Sequence, residues 1–167
     1  MAWLDRNPLI EFQGVEQVFD PTQIGRNPNF VAVFRARKVD LLGRVAFSVG
    51  KGNISAGPGQ GADLFTGTEM SSGGRTVFGL PSRNPQGAPN IVVMLRDLRN
   101  QFHMRESIDV VVTEYGIANL KWRTIRERAQ ALIDIAHPDD REKLVEQAKK
   151  KSILFSDQIF LSESARL

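Results

Sequence analysis

Two unbroken apolar runs constrain this chain more than any other feature: Phe30-Val-Ala-Val-Phe34 and Val110-Val-Val-Thr113. A strand open to water on one face alternates apolar and polar residues, whereas a short continuous apolar run is expected of a strand covered on both faces. The sequence therefore predicts a sheet in the interior, with Phe30 to Phe34 covered on both sides. Residues 39–49 hold two more β-prone stretches broken by Gly43 at a turn, and others fall at 76–80 and 91–95, separated by the turn-rich segment 81–89.

Helical signals concentrate in the last third. Thr124-Ile-Arg-Glu127 has the form of a capping box, in which the hydroxyl accepts from a backbone N–H and the Glu reaches back. Ile125, Ala129, Leu132, Ile133 and Ala136 then fall on one helical face. His137-Pro138 ends that helix, because the residue before proline is pushed out of the α region. Pro138-Asp-Asp140 opens a second helix with acids in its first turn, and Lys149-Lys-Lys151 closes it with bases, both favourable to the helix dipole. The apolar residues Ile153, Leu154, Ile159, Phe160 and Leu161 require something to pack on.

The first thirty residues carry Asn7-Pro8, Asp20-Pro21 and Asn27-Pro28 around a short amphipathic stretch, so 1–30 reads as a lead-in and 31–167 as the domain proper. Between 50 and 74 glycine density rises, and the segment 50–61 is expected to be loop for much of its length. Strands followed by a strand and paired helices indicate an α/β fold: an open, largely buried sheet with flanking helices.

Composition narrows the chemistry. At 167 residues and 41% apolar content, one core is expected. The 22 basic and 19 acidic residues are interspersed, giving a net charge of +3 and a solvated surface without the aromatic-rich basic stripe of a nucleic-acid binder. The absence of cysteine excludes disulfides, thiolate metal sites and a thiol nucleophile, and points to a reducing compartment. No apolar run approaches the roughly 18 residues a membrane span needs, and a soluble cytoplasmic protein is expected. The two histidines, His103 and His137, lack metal-ligand spacing, so no metal is expected.

Two motifs carry candidate chemistry. The loop Ala56-Gly57-Pro58-Gly59-Gln60-Gly61-Ala62-Asp63 brings backbone N–H groups within reach of an anionic or carbonyl oxygen, or else is simply a long turn. It is not a P-loop, and it lacks the Gly-x-Gly-x-x-Gly pattern opening a clear helix. Glu114 lies at the C-terminal end of a strand, where open α/β sheets bind ligands, or else is a solvated surface acid. His137 reads as a helix-terminal residue, and Ser71 and Ser72 have no nucleophile elbow around them. Most of the arginines at 35, 37, 44, 75, 83 and 105 read as surface charges.

These motifs occur in a familiar order. Asp63-Leu-Phe, Ser71-Ser-Gly-Gly-Arg75, Leu80-Pro-Ser82, Val111-Val-Thr-Glu-Tyr-Gly-Ile-Ala118 and Leu132-Ile-Asp-Ile-Ala-His-Pro-Asp-Asp-Arg141 closely resemble the C-terminal half of acetyl-CoA hydrolases and of 4-hydroxybutyrate- or succinate-type CoA-transferases. The match extends more loosely to Asn27-Pro28 and Val39-Asp40-Leu-Leu-Gly43. The resemblance implies the CoA-transferase (NagB/RpiA-like) fold and a ping-pong exchange through a glutamyl-CoA thioester, with coenzyme A as substrate and no tightly bound cofactor.

By the same resemblance, Gly59 supplies an oxyanion donor and Glu114 shapes the acyl pocket as the catalytic pair. Gly57, Gln60, Gly61, Ser82, Arg83, Tyr115 and Gly116 would meet CoA or substrate. The family's nucleophilic glutamate has no counterpart among Glu11, Glu16, Glu69 and Glu106, so it is expected on an N-terminal CoA-transferase domain or partner subunit. Acyl-CoA, a small carboxylate and a homo-oligomeric assembly complete the implied partners. A non-catalytic module binding CoA or acyl-CoA is the alternative. Two departures stand out: Gly57-Pro58-Gly59-Gln60 replaces Gly-Val-Gly-Gly-Gln, and Phe34-Arg-Ala36 replaces Asn-Ser/Thr-Ala.

Overall fold

The computed structural model describes residues 7–46, 60–95, 101–102 and 108–157. In chain order the elements are α1 (Val15–Val18), α2 (Pro21–Gly25), β1 (Val31–Arg35), β2 (Lys38–Asp40), β3 (Val45–Ala46) and α3 (Gly61–Met70). These are followed by β4 (Arg75–Gly79), β5 (Ile91–Val92), β6 (Gln101–Phe102), β7 (Val110–Thr113), β8 (Gly116–Asn119), α4 (Ile125–Asp134) and α5 (Pro138–Lys150). The first sheet runs β1-β4-β7-β8, with β1, β4 and β7 parallel and β8 antiparallel. The second runs β5-β2-β3-β6, with only β2 and β5 parallel. The protein is thus α/β with flanking helices, and buried residues of both sheets and of α3, α4 and α5 form one core.

The run 30–34 is a strand, but it is not covered on both faces. Ala32 is buried and Phe34 packs on the core, while Val31 and Val33 point outward and are 52% and 71% exposed. Apolar residues at every position recorded the strand's β-propensity, and here they do not record its coverage.

The expected glycine loop, residues 50–61, lies almost wholly outside the described residues. Directly after it, Gly61–Met70 form the ten-residue helix α3. Phe65 on α3 is fully buried, with its ring centroid 4.8 Å from Phe34 of β1 and 6.0 Å from Phe78 of β4. Gly67 is the point of closest approach to α2, since a Cβ there would lie 2.5 Å from the Ile24 side chain. That contact seats residues 21–25 on the domain, and the Ser71 hydroxyl reinforces it by donating to the Asn27 carbonyl (2.6 Å) and accepting from Phe30 N–H (3.1 Å).

In the second sheet, Gly43 takes φ +81° at the turn between β2 and β3. Asp40, fully buried at the end of β2, holds that turn together. Its Oδ1 accepts from the Leu42 and Arg44 N–H groups (3.1 and 2.9 Å), and its Oδ2 accepts from Leu95 N–H (3.0 Å) and Arg44 Nε (2.7 Å).

Both halves of the capping box on α4 are formed: Thr124 N–H donates to Glu127 Oε2 at 2.7 Å, and Glu127 N–H donates to Thr124 Oγ1 at 3.4 Å. Ala129, Leu132, Ile133 and Ala136 are buried as the periodicity requires, but Ile125, in the first turn, is exposed. Thr124→Ala is expected to lower stability by about 1 kcal/mol, the usual worth of such a cap, read as a lower urea midpoint at unchanged slope. The close of α5 follows its charge pattern, and Ile153 and Leu154 turn back onto the core. Residues 159–161 lie outside the described residues. Among the described residues, no helix is long and apolar enough to cross a membrane.

Candidate active site at the strand ends

The parallel strands β4 and β7 end side by side, and their C-terminal extensions carry most of the candidate residues. β7 and β8 are joined by the two-residue turn Glu114-Tyr115, closed by the pair Thr113 and Gly116. Thr113 Oγ1 donates to the Ile135 carbonyl (2.6 Å) and accepts from Tyr115 N–H (3.1 Å), which ties the turn to the end of α4. Gly116 sits at φ +147°, a conformation that side chains rarely adopt.

Beyond β4, the Leu80 N–H donates to the Val112 carbonyl (3.1 Å), keeping the Leu80-Pro-Ser82 segment alongside β7. Ser82 is buried and held on its far side by Asn90, whose N–H donates to the Ser82 carbonyl and whose side chain donates to the Pro81 carbonyl (2.8 and 2.9 Å). Ser82 then grips Glu114: its N–H lies 2.9 Å from Oε2 and 3.2 Å from Oε1, and its hydroxyl donates to Oε1 at 2.6 Å. Desolvation pushes the carboxyl of the exposed Glu114 up, but the Ser82 hydrogen bonds, helped by the turn backbone and by His137, outweigh it and hold the group below the usual carboxylate range. Glu114 is therefore an oriented anion at neutral pH. Ser82→Ala is expected to raise its pKa, since desolvation then meets less opposition, and a carboxyl-carbon NMR titration reads that shift.

Arg83 turns away from Glu114 to the start of α5. Its Nε and Nη2 make two 2.8 Å bonds to the two oxygens of Asp140, and Nη1 lies 3.4 Å from Asp139. The Arg83 hydrogen bond holds the Asp140 carboxyl below its ordinary range, against a smaller upward push from burial. Asp140 therefore contributes stability that is complete above its unfolded value of 3.8 and is lost as pH falls through the lower folded value. The stability gap between the protein and Arg83→Gln is expected to be widest above that pH and to narrow on acidification, as urea midpoints measured across pH would record.

His137 caps α5, its Nδ1 accepting from Asp139 N–H at 3.3 Å. Its ring meets Tyr115 edge-on at 5.3 Å, and the Arg141 guanidinium lies 5.9 Å from the Tyr115 ring. The structure thus brings Ser82, Arg83, Glu114, Tyr115 and Gly116 together with the junction of α4 and α5. Gln60 caps α3 and Gly61 is its first residue, whereas Gly57 and Gly59 lie outside the described residues.

His137, Asp140 and Arg141 did not emerge as site residues from the sequence. Their spacing served equally well as helix punctuation, with His137 assigned to the end of α4 and the acids to the α5 dipole. The available signal was the contiguous Ile-Ala-His-Pro-Asp-Asp-Arg string itself.

Residues 1–148 match the model of the acetyl-CoA hydrolase/transferase C-terminal domain. The 4-hydroxybutyrate coenzyme A transferase of Clostridium kluyveri is 38% identical over 151 residues, which are 89% of this chain and 35% of that protein. The succinyl-CoA:cyclohexane-1-carboxylate CoA transferase of Geobacter metallireducens is 37% identical over 150 residues, 89% of this chain and 34% of that protein. Among solved structures, RipA from Yersinia pestis superposes with a TM-score of 0.78 at 30% identity, covering 91% of this chain and 33% of RipA. The 4-hydroxybutyrate CoA-transferase of Porphyromonas gingivalis gives 0.69 at 33% identity, over 90% of this chain and 34% of that one. The chain spans about a third of the length of these relatives. With residues 1–148 matched, nearly nine-tenths of its length, the chain belongs to the acetyl-CoA hydrolase/transferase C-terminal domain family.

Proposed function

We propose that this chain is the C-terminal half of an acyl-CoA:carboxylate CoA-transferase or acyl-CoA hydrolase, and that the nucleophilic glutamate is supplied by an N-terminal domain or partner subunit. The observation that carries this reading is the Glu114 carboxylate, fixed by both Ser82 donors at the C-terminal edge of parallel strands. An anion oriented in this way positions an acyl group or its acceptor without itself attacking. Gln60 and Gly61, which open α3, follow the glycine-rich sequence bearing Gly57 and Gly59, and the dipole at the start of that helix favours a developing oxyanion.

In the proposed cycle the partner's glutamate attacks the acyl-CoA carbonyl and CoA leaves as thiolate, giving a mixed anhydride. The thiolate then attacks the glutamyl carbonyl, releasing the acyl group as carboxylate and leaving glutamyl-CoA. An incoming carboxylate reverses these steps with its own acyl group, while water in its place gives net hydrolysis. Coenzyme A is thus a substrate, the small carboxylate is the acceptor, and no tightly bound cofactor is needed. Ser82, Tyr115 and Gly116 adjoin Glu114 and would meet the acyl group or CoA, Arg83 would do so from its place against α5, and the family resemblance assigns Gln60 and Gly61 to the oxyanion side.

The test measures acyl transfer from acetyl-, butyryl- and succinyl-CoA by this chain alone and together with the polypeptide encoded immediately upstream. Turnover is expected only with both. Robust activity of the isolated chain would overturn the assignment of the nucleophile to another segment. In the active assembly, Glu114→Gln is expected to lower kcat/KM by about 10- to 100-fold, the loss of one oriented charge contact to the transition state.

A further inference from the structure

The outward face of the first sheet is an apolar surface that no other element among the described residues covers. Strand register aligns its residues in rows: Val31 beside Arg75; then Val33, Val77, Val110 and Asn119; then Arg35, Gly79, Val112 and Ile117. Val33 and Ile117, at the two edges, are 71% and 64% exposed, and Val77, Val110 and Val112 between them are only half-buried. The alternate residues Ala32, Thr76, Phe78, Val111 and Ala118 face the core and are buried. Three parallel strands left open on one side are an anomaly, because parallel sheets are stable in water almost only with a layer on each face. A patch of six aliphatic side chains, with Arg35 and Arg75 exposed at its corners, marks an interaction surface.

We propose that this face is the docking surface for the glutamate-bearing N-terminal part of the enzyme, which seats a helical layer with an apolar stripe and flanking carboxylates on it. The proposal rests on the functional reading above. The family model matched from residue 1 is a C-terminal domain, so most of the remaining two-thirds of the relatives' length corresponds to sequence upstream of this segment. Helices are the layer that parallel strands take, and Arg35 and Arg75 favour acidic flanks. Position links the surface to the chemistry: Val112 and Ile117 are a register pair one step below the pair that closes the Glu114-Tyr115 turn. A layer seated on the sheet therefore ends beside Glu114, where the attacking carboxylate is needed.

The test expresses these residues with the coding sequence immediately upstream, in its native arrangement. It compares wild type with Val33→Glu, Ile117→Glu and, as a control, Leu9→Glu on a side chain 91% exposed elsewhere. Circular dichroism checks that each variant folds. Hydrogen exchange of the β1, β4 and β7 amides, binding between the two parts where they are separate chains, and acyl transfer are the readouts. Both sheet variants are expected to weaken assembly or raise exchange at least 10-fold and to lower transfer in parallel, while Leu9→Glu behaves as wild type. Transfer and assembly unchanged in both sheet variants would overturn the docking surface and leave the functional reading intact. Assembly through this face without turnover would uphold the surface and overturn the reading. A homodimer dispersed by Val33→Glu, with no response to the upstream part, would assign the face to a second copy and overturn the proposal.

Discussion

Asp40→Ala is expected to cost about 3–5 kcal/mol, a large share of the stability of a domain this size. The carboxylate is fully buried and accepts from three backbone N–H groups and from the Arg44 guanidinium, whose Nη2 also donates to the Leu95 carbonyl. Alanine leaves those donors without an acceptor and a cation without its anion, and each such loss is charged at the desolvation cost of the group. Asp40→Asn keeps the Oδ1 acceptor for the turn and loses mainly the charge, so its deficit is expected to be smaller. Urea unfolding followed by circular dichroism orders the three proteins. An alanine variant within 1 kcal/mol of wild type would show that water reaches these groups in the folded state.

Phe65→Ala is expected to cost about 3–5 kcal/mol by leaving a cavity against the stacked rings of Phe34 and Phe78. Phe34 and Phe78 are register partners on β1 and β4, with centroids 5.4 Å apart, and Phe65 lies across both from α3. This cluster is what fastens the helix to the parallel strands, so the same substitution should also raise hydrogen exchange along α3 more than along α4. Phe65→Leu fills most of the space and is expected to recover more than half of the loss. Thermal or urea midpoints for the pair settle the ordering.

Phe65 also shows where local reading reached its limit. Nothing local in the sequence marks α3 as a helix, because it contains Gly61 and Gly67 and each glycine weakens a helix by about 1 kcal/mol relative to alanine. Tertiary packing overrode that preference. Gly67 is required inside the helix because Ile24 of α2 occupies the space a Cβ would need, a constraint imposed by a residue more than forty positions away. β8 escaped for a related reason: Gly-Ile-Ala-Asn is four residues long with one strongly β-prone side chain, and it becomes a strand because β7 offers it an edge.

What the sequence determined by itself was local or recurrent. The capping box of α4, the His-Pro break, the dipole-matched ends of α5 and the turn at Gly43 each depend on residues within four positions of one another, and each formed as read. The family was equally legible, because its strings are contiguous. The tertiary structure alone decided which face of Val31 and Val33 meets water, since an apolar run has the same spelling on a covered and on an open strand. It alone brought Ser82 to Glu114, thirty-two residues apart, and Arg83 to Asp140, fifty-seven apart. Neighbouring parallel strands end at the same edge whatever the sequence distance between them, so the site belongs to the sheet rather than to any one segment.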